Sequence, residues 1–449
     1  MPNRRQFMTA AALSPAVAAI PVTSATAAER DWPTGPGLPN RPQQPDRELR
    51  RVLAEIDQRR LEATVRKLAS FGTRHTLSSQ TDPARGIGAA RDWIFNELKS
   101  YGGRLTVELQ SYLQQPTPRV PVPTTITNVL ATLPGTTDRV YVVSGHYDSR
   151  AGDVMDFTSD APGADDDASG VAAVMELARV LATRTFEATI IFAAVAGEEQ
   201  GLLGAAHLAE QLKGRNLQAM FTNDIVGASR TNVLRLFAEG VPTAETPEQA
   251  AIRRSVGGEN DSPSRQLARF VTDVASNSAT DMTVEVIHRR DRYLRGGDHI
   301  PFLERGFPAA RFTEPHEDYA HQHQNVRVEN GVQYGDLVQF CDFPYLLRVT
   351  KVNAAVMWSL ASGPGTPRNV RIRTNRLTNE TDLVWDGEPG REYEVVWRPT
   401  DTSDWTHRIP VGATTAHTVN LSKDNAFFGV RAIGKDGKRS PAAFPVPAP

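Results

Sequence analysis

Apolar residues recur at helical spacing near the start of this chain. Leu49, Val52, Leu53, Ile56, Val65 and Leu68 predict an amphipathic helix over 47–70. Ile87, Ala90, Ile94, Phe95 and Leu98 share one helical face and predict a second over 86–100. Two short continuous apolar runs follow, 139–144 (RVYVVS) and Thr189–Val195 (TIIFAAV), the pattern of parallel strands covered on both faces. Between them, Val171, Val174, Leu177, Ala178 and Leu181 mark a helix over 170–182. Strands alternating with helices predict an α/β fold, with a mostly parallel central sheet flanked by helices, over residues 47–362. It closes with the helical stretch 345–360.

After Ser362-Gly363-Pro364-Gly365 the period changes to two. Val370/Ile372, Leu383/Trp385, Tyr393/Val395/Trp397 and Phe428/Val430 alternate, and Glu388-Pro389-Gly390 and Lys435-Asp436-Gly437 supply turns. Residues 363–449 are therefore expected to form a small all-β sandwich. The Leu383-Val384-Trp385, Tyr393-Glu394-Val395 and Val430-Arg431-Ala432 stretches resemble a fibronectin type III module over about 80 residues, with Trp385 expected in its core.

Composition narrows the class. The 449 residues carry 50 Lys+Arg against 52 Asp+Glu, and no basic block appears, so no electrostatic footprint for nucleic acid is present. Hydrophobic residues at 40% and charged residues at 23% suit a protein with a real core. No apolar run reaches the roughly 18 residues of a membrane span. The single cysteine, Cys341, excludes an intrachain disulfide. Arg4-Arg5 and Phe7, a mildly apolar stretch from Thr9 to Val22, and Ala25-Thr26-Ala27 read as a secretory signal over 1–27. The arginine pair resembles a bacterial twin-arginine signal, which implies export to a periplasmic or extracellular location. Residues 28–46, rich in Pro and Gly, are expected to be an extended arm.

Candidate chemistry lies where strands should end. The stretches are Ser144-Gly-His146-Tyr-Asp148, Gly163-Ala-Asp165-Asp166-Asp167-Ala-Ser169-Gly170, Ala196-Gly-Glu198-Glu199-Gln-Gly201 and Thr222-Asn-Asp224. The carboxyl ends of parallel strands share one edge, where ligands gather. Carboxylates crowded there raise one another's pKa unless cations lie between them. Histidine among carboxylates points to zinc or a similar ion, cobalt and manganese being chemically compatible. Three ligand carboxylates and a hydroxide would be neutralised by two divalent ions. Asp148, two residues beyond His146, is placed to accept the imidazole's other N–H. Of the adjacent pair Glu198 and Glu199, one can bind metal while the other stays free as a general base. Singly each has an ordinary reading: surface hydrogen bonding for His-x-Asp, a solvated helix start for Glu-Glu, a helix N-cap for Asp166.

These stretches, with Asn223-Asp224 and Gly297-Asp298-His299-Ile-Pro-Phe302, resemble the di-zinc exopeptidase family of bacterial leucyl aminopeptidases, metallopeptidase family 28. The likeness spans about residues 50–360. It implies a peptide substrate and two zinc ions bridged by Asp166. His146 and Asp224 complete one ligand set, Glu199 and a C-terminal histidine the other. Glu198 is the implied general base and Asp148 the orienting partner of His146. The family often shows His-Thr-x-x-Asp after a Tyr, whereas this chain reads Tyr319-Ala-His321-Gln-His323-Gln-Asn325. Taking Asn325 for that Asp selects His321, and taking Asp336 selects His323. The resemblance places Gln directly before the ligand and favours His323. His299 and Phe302 are expected in the pocket wall, with 228–296 as an insertion or lid.

An aminopeptidase is the leading expectation. A carboxypeptidase or dipeptidase of the same fold would need a basic cluster, which Arg289, Arg290, Arg292 and Arg295 could supply. A single-metal glutaminyl cyclase, a receptor-like relative without activity and a binding protein working through its sandwich would each be expected to have lost ligands.

Overall fold

The strand Arg139–His146 is apolar on both faces, and its side chains alternate between two cores. Tyr141 and Val143 point into the larger one, Val140 and Val142 into the smaller. In this computed structural model, which describes residues 35–448, that strand lies at the centre of an eight-stranded sheet. The order is 106–114, 124–133, 189–195, 139–146, 216–223, 309–313, 233–237, 283–287. The four middle strands are mutually parallel, and 233–237 pairs parallel with 283–287. The hairpin Thr106–Gln114 and Thr124–Leu133 adds an antiparallel edge, and 233–237 meets 309–313 antiparallel.

Helices cover both faces, as continuous apolar strands require. Ala168–Leu181, buried at every position but Arg179, packs on one face with Gln58–Ala69 and Phe343–Ser362 around it. Leu203–Gln211 and Ile300–Leu303 cover the other face. Two glycines allow the close helix–strand approach. A Cβ on Gly145 would stand 2.6 Å from the Gly170 carbonyl carbon, and one on Gly170 would stand 2.4 Å from the Asn223 carbonyl oxygen.

Several expectations are corrected. The helix over 47–70 is two helices, Arg47–Glu55 and Gln58–Ala69. The break is held from a distance: the Asp57 N–H donates to buried Glu176 at 2.8 Å while the Asp57 carboxylate caps Arg59 N–H at 2.8 Å. The 228–296 segment is not a lid. It supplies the strands Val233–Phe237 and Thr283–Ile287 and the largely buried helix Pro263–Ala275. Phe302 is wholly buried in the smaller core rather than lining a pocket.

Seven strands beyond residue 363 and one near the start of the described chain build two four-stranded sheets, one ordered 38–39, 407–412, 392–399, 426–433 and the other 416–419, 381–386, 368–373, 446–448. Trp385 lies in their shared core. Leu38–Pro39, in the segment read as an arm, pairs antiparallel with 407–412, and Trp397 Nε1 donates to the Pro36 carbonyl at 2.8 Å. Residues 1–27, read as a twin-arginine-type signal, and the first part of the expected arm lie outside the described residues. Among the described residues no helix is long and apolar enough to cross a membrane.

Buried charge joins these sheets to the α/β part. Asp261 accepts from Arg269 at 2.8 Å and from Arg398 of the strand Glu392–Pro399 at 2.7 Å, all three being buried. Trp405 Nε1 donates to Gln266 Oε1 at 3.1 Å beside them. Removing one partner of a buried pair leaves an uncompensated charge, so Asp261→Ala should lower the unfolding free energy by about 3–5 kcal/mol. Chemical denaturation reads this, and a loss below about 1 kcal/mol, the worth of a surface pair, would contradict it.

Candidate metal centre

His146 is the last residue of its strand, Glu198 and Glu199 follow Val195, and Asp224 follows Asn223. Because these strands are parallel neighbours, all four residues reach one edge of the sheet. The loop before Ala168–Leu181 brings Asp166 to the same edge. Asp167, not Asp166, is the helix N-cap: one of its oxygens accepts from Gly170 N–H and the other from His146 N–H, each at 2.9 Å. That leaves the Asp166 carboxylate free of capping.

Two groups of potential ligand atoms result, each within 4.8 Å of one another: His146, Asp166 and Asp224, and Asp166, Glu199 and His323. Asp166 belongs to both. Its Oδ1 lies 3.1 Å from His146 Nε2 and its Oδ2 lies 3.0 Å from His323 Nε2. Glu199 Oε1 is 3.0 Å from His323 Nε2, and Asp224 Oδ1 is 3.9 Å from His146 Nε2. Imidazole nitrogens and carboxylate oxygens in two groups sharing one carboxylate suit a borderline divalent ion such as zinc. His321 stands elsewhere, paired with Asp318 at 3.1 Å and stacked on Phe340 at 3.6 Å.

Asp148 is wholly buried and has more to do than the sequence suggests. His146 Nδ1 meets its backbone carbonyl at 3.2 Å, and its carboxylate stands 3.7 Å from that nitrogen. The carboxylate oxygens accept the backbone N–H groups of Glu198 at 3.2 Å and Glu199 at 3.1 Å, so Asp148 also fixes the turn that carries both glutamates. Glu198 is partly exposed, and among the described residues none donates to its carboxylate. Burial, reinforced by Glu199, Asp224 and Asp298 against the opposing His146, pushes its pKa well above the usual carboxylate range.

Further supports were not read from the sequence. Asp336 accepts the backbone N–H groups of Asp165 at 2.9 Å and Asp166 at 2.8 Å, and burial raises its own pKa to about 6. Arg74, wholly buried, donates to the carbonyls of Tyr147 at 2.7 Å and Gly163 at 2.9 Å, binding the His146 loop to the Asp166 loop. Arg311 stands 3.0 Å from Asp224 Oδ2. Its signal was available: an arginine inside the apolar run Ala309–Thr313 must find buried partners. His323 is drawn the opposite way from burial alone. Desolvation disfavours its charged form, but Glu199 and Asp166 outweigh it and raise its pKa to about 10.

The remaining residues singled out in the sequence have other partners. His299 Nε2 bonds the Arg290 carbonyl at 2.7 Å and belongs to neither ligand group. Arg292 and Arg295 are paired with Glu317 at 3.2 and 2.8 Å, and Arg289 stands over the Tyr293 ring at 5.3 Å.

Residues 128–330 match the family described as peptidase family M28. A probable zinc metalloprotease of Pyrenophora tritici-repentis is 52% identical over 437 residues, which are 93% of this chain and 90% of that protein. A probable zinc metalloprotease of Leptosphaeria maculans is 52% identical over 421 residues, 90% of this chain and 98% of the other. The crystal structure of Legionella pneumophila LapA has a similar fold, with a TM-score of 0.51 at 20% identity over 70% of this chain and 76% of that one.

The geometry separates the two candidate histidines. His323→Ala should weaken metal retention by 10-fold or more, on the order of the loss when a ligand's own support is removed. His321→Ala should retain the full complement, read as metal per chain after dialysis. Equal retention in both variants would place the ligand elsewhere.

Proposed function

The chain belongs to peptidase family M28, and from that premise we propose that it is an exported, zinc-dependent aminopeptidase holding two metal ions. The observation that carries this reading is the Asp166 carboxylate, shared between two ligand groups with the unpartnered Glu198 beside them. His146, Asp166 and Asp224 would hold one ion, and Asp166, Glu199 and His323 the other. Zinc bound there would acidify the attacking water and polarise the scissile carbonyl.

The chain's own groups do the rest. Glu198 takes the proton of the attacking water and returns it to the leaving amine, a task that needs a carboxylate not already engaged. Asp148 holds the Glu198 and Glu199 backbone in place through two N–H bonds, so the base and its metal-binding neighbour are set by one anchor. Asp336 does the same for Asp166.

An amine terminus suits this cleft better than a carboxylate. Two of the nearby cations are already paired with carboxylates: Arg292 with Asp291 and Glu317, and Arg311 with Asp224 and Asp291. The carboxyl group left without a donor is that of Glu198, whose ionised form, favoured once cations lie beside it, would attract an ammonium group. The carboxypeptidase reading would have to draw on Arg119 or Arg150, which donate to backbone carbonyls beside Glu199. We read residues 1–27 as the twin-arginine-type export signal that would deliver the enzyme to the periplasm or the exterior. The C-terminal pair of sheets we read as a fibronectin type III-like module.

The mature protein should release arylamine from aminoacyl arylamides and lose that activity with a chelator. N-acetylated versions of the same substrates should be inert. Glu198→Gln should keep its metal content and lose on the order of 10²–10⁴ in turnover. Activity on N-blocked peptides, or near-normal turnover in Glu198→Gln with metal retained, would sink the assignment.

A further inference from the structure

Arg311 is wholly buried in the strand Ala309–Thr313, and the function proposed above gives it no part. Its guanidinium stands 3.0 Å from Asp224 Oδ2 through Nε and donates through Nη1 to Asp291 Oδ1 at 3.0 Å. Nη2 donates to the Asp224 carbonyl oxygen at 3.2 Å. Nη2 thus holds the Asp224 backbone by a hydrogen bond, while Nε faces its carboxylate as a charge pair without one. The same Asp291 oxygen also accepts from Arg292 Nε at 3.1 Å, and Arg292 Nη2 is 3.8 Å from Asp224 Oδ2.

The two oxygens of Asp224 consequently face different ways. Oδ2 faces two guanidinium groups, while Oδ1 faces His146 Nε2 at 3.9 Å. The second terminal carboxylate is treated differently. Glu199 Oε2 has Arg150 at 4.0 Å, and that arginine donates to the Ala151 and Gly152 carbonyls instead. A buried guanidinium that claims one oxygen of a carboxylate leaves only the other for a metal, in a fixed orientation.

We propose that Arg311 is a positioning residue. It fixes Asp224 as a one-oxygen ligand and so sets metal affinity at the His146–Asp166–Asp224 position, leaving the Asp166–Glu199–His323 position unaffected. This rests on the two-metal reading above.

The test is zinc retention against a graded chelator on the full mature chain, with circular dichroism recorded beside it. Arg311→Met should keep its secondary structure and one tightly held zinc, while the other weakens by about 10–100-fold, the usual effect of removing a ligand's support. Arg311→Lys, which keeps a charge without the planar fork, should recover part of the loss and guards against a Met variant that does not fold. In a His323→Ala background, where the remaining zinc sits at the His146 position, Arg311→Met should weaken that zinc by the same roughly 10–100-fold. Equal weakening of both zincs, or no change in either, would overturn the proposal while leaving the two-metal reading intact. A wild-type chain that holds fewer than two zincs would remove both together.

Discussion

Asp148, Asp166, Asp167, Asp224, Asp336 and Glu199 are all buried along one edge of one sheet, where each negative charge raises the cost of the next. The structure meets that cost in three ways. Backbone N–H groups are turned onto Asp148, Asp167 and Asp336, which thereby become fixed anchors rather than free charges. Buried arginines, Arg74 and Arg311, bring positive charge from behind. What these leave over is the group Asp166, Glu199 and Asp224, which has imidazoles beside it and is the part suited to cations.

Parallel strand order makes this crowding possible. Residues 146, 198–199 and 224 are far apart in the chain, yet each sits at or just past the carboxyl end of a neighbouring strand. Antiparallel neighbours would have sent alternate ends to opposite edges. The loop that delivers Asp166 needs the helix Ala168–Leu181 pressed close against the sheet, and Gly145 and Gly170 are the residues whose missing side chains permit it. Small residues beside the chemistry are thus part of how its distances are set.

The parts legible in the sequence were those carried by local pattern. The continuous apolar strands, the helix between them and the acidic stretches at their ends all follow from period and spacing. The parts that were not legible depend on partners far away in the chain. The break at Asp57 is held by Glu176, and the strand Leu38–Pro39 exists because 407–412 offers it an edge. The choice between His321 and His323 turns on the path of the loop between Glu314 and Asp336. Both histidines carry the same donor, but one ring stacks on Phe340 while the other reaches Asp166 and Glu199. Asp148 was legible as a neighbour of His146. Its grip on the Glu198–Glu199 turn, 50 residues on, was not.

Arg74 and Arg311 show how the ordering of the site is divided. Arg74 ties the loop after His146 to the loop that carries Asp166, and Arg311 holds Asp224 at the next strand end. Neither belongs to a ligand group, and both are fully buried. Arg311 is met there by the carboxylates of Asp224 and Asp291, and Arg74 by backbone carbonyls with carboxylates farther off. Burial lowers the Arg74 pKa to about 10, against the pull of Asp336 and Asp148. The same carboxylates that make the edge unstable alone therefore retain the arginines that shape it. Geometry set during folding leaves little reorganisation for the moment of binding, which is when misplacement by an ångström is most costly.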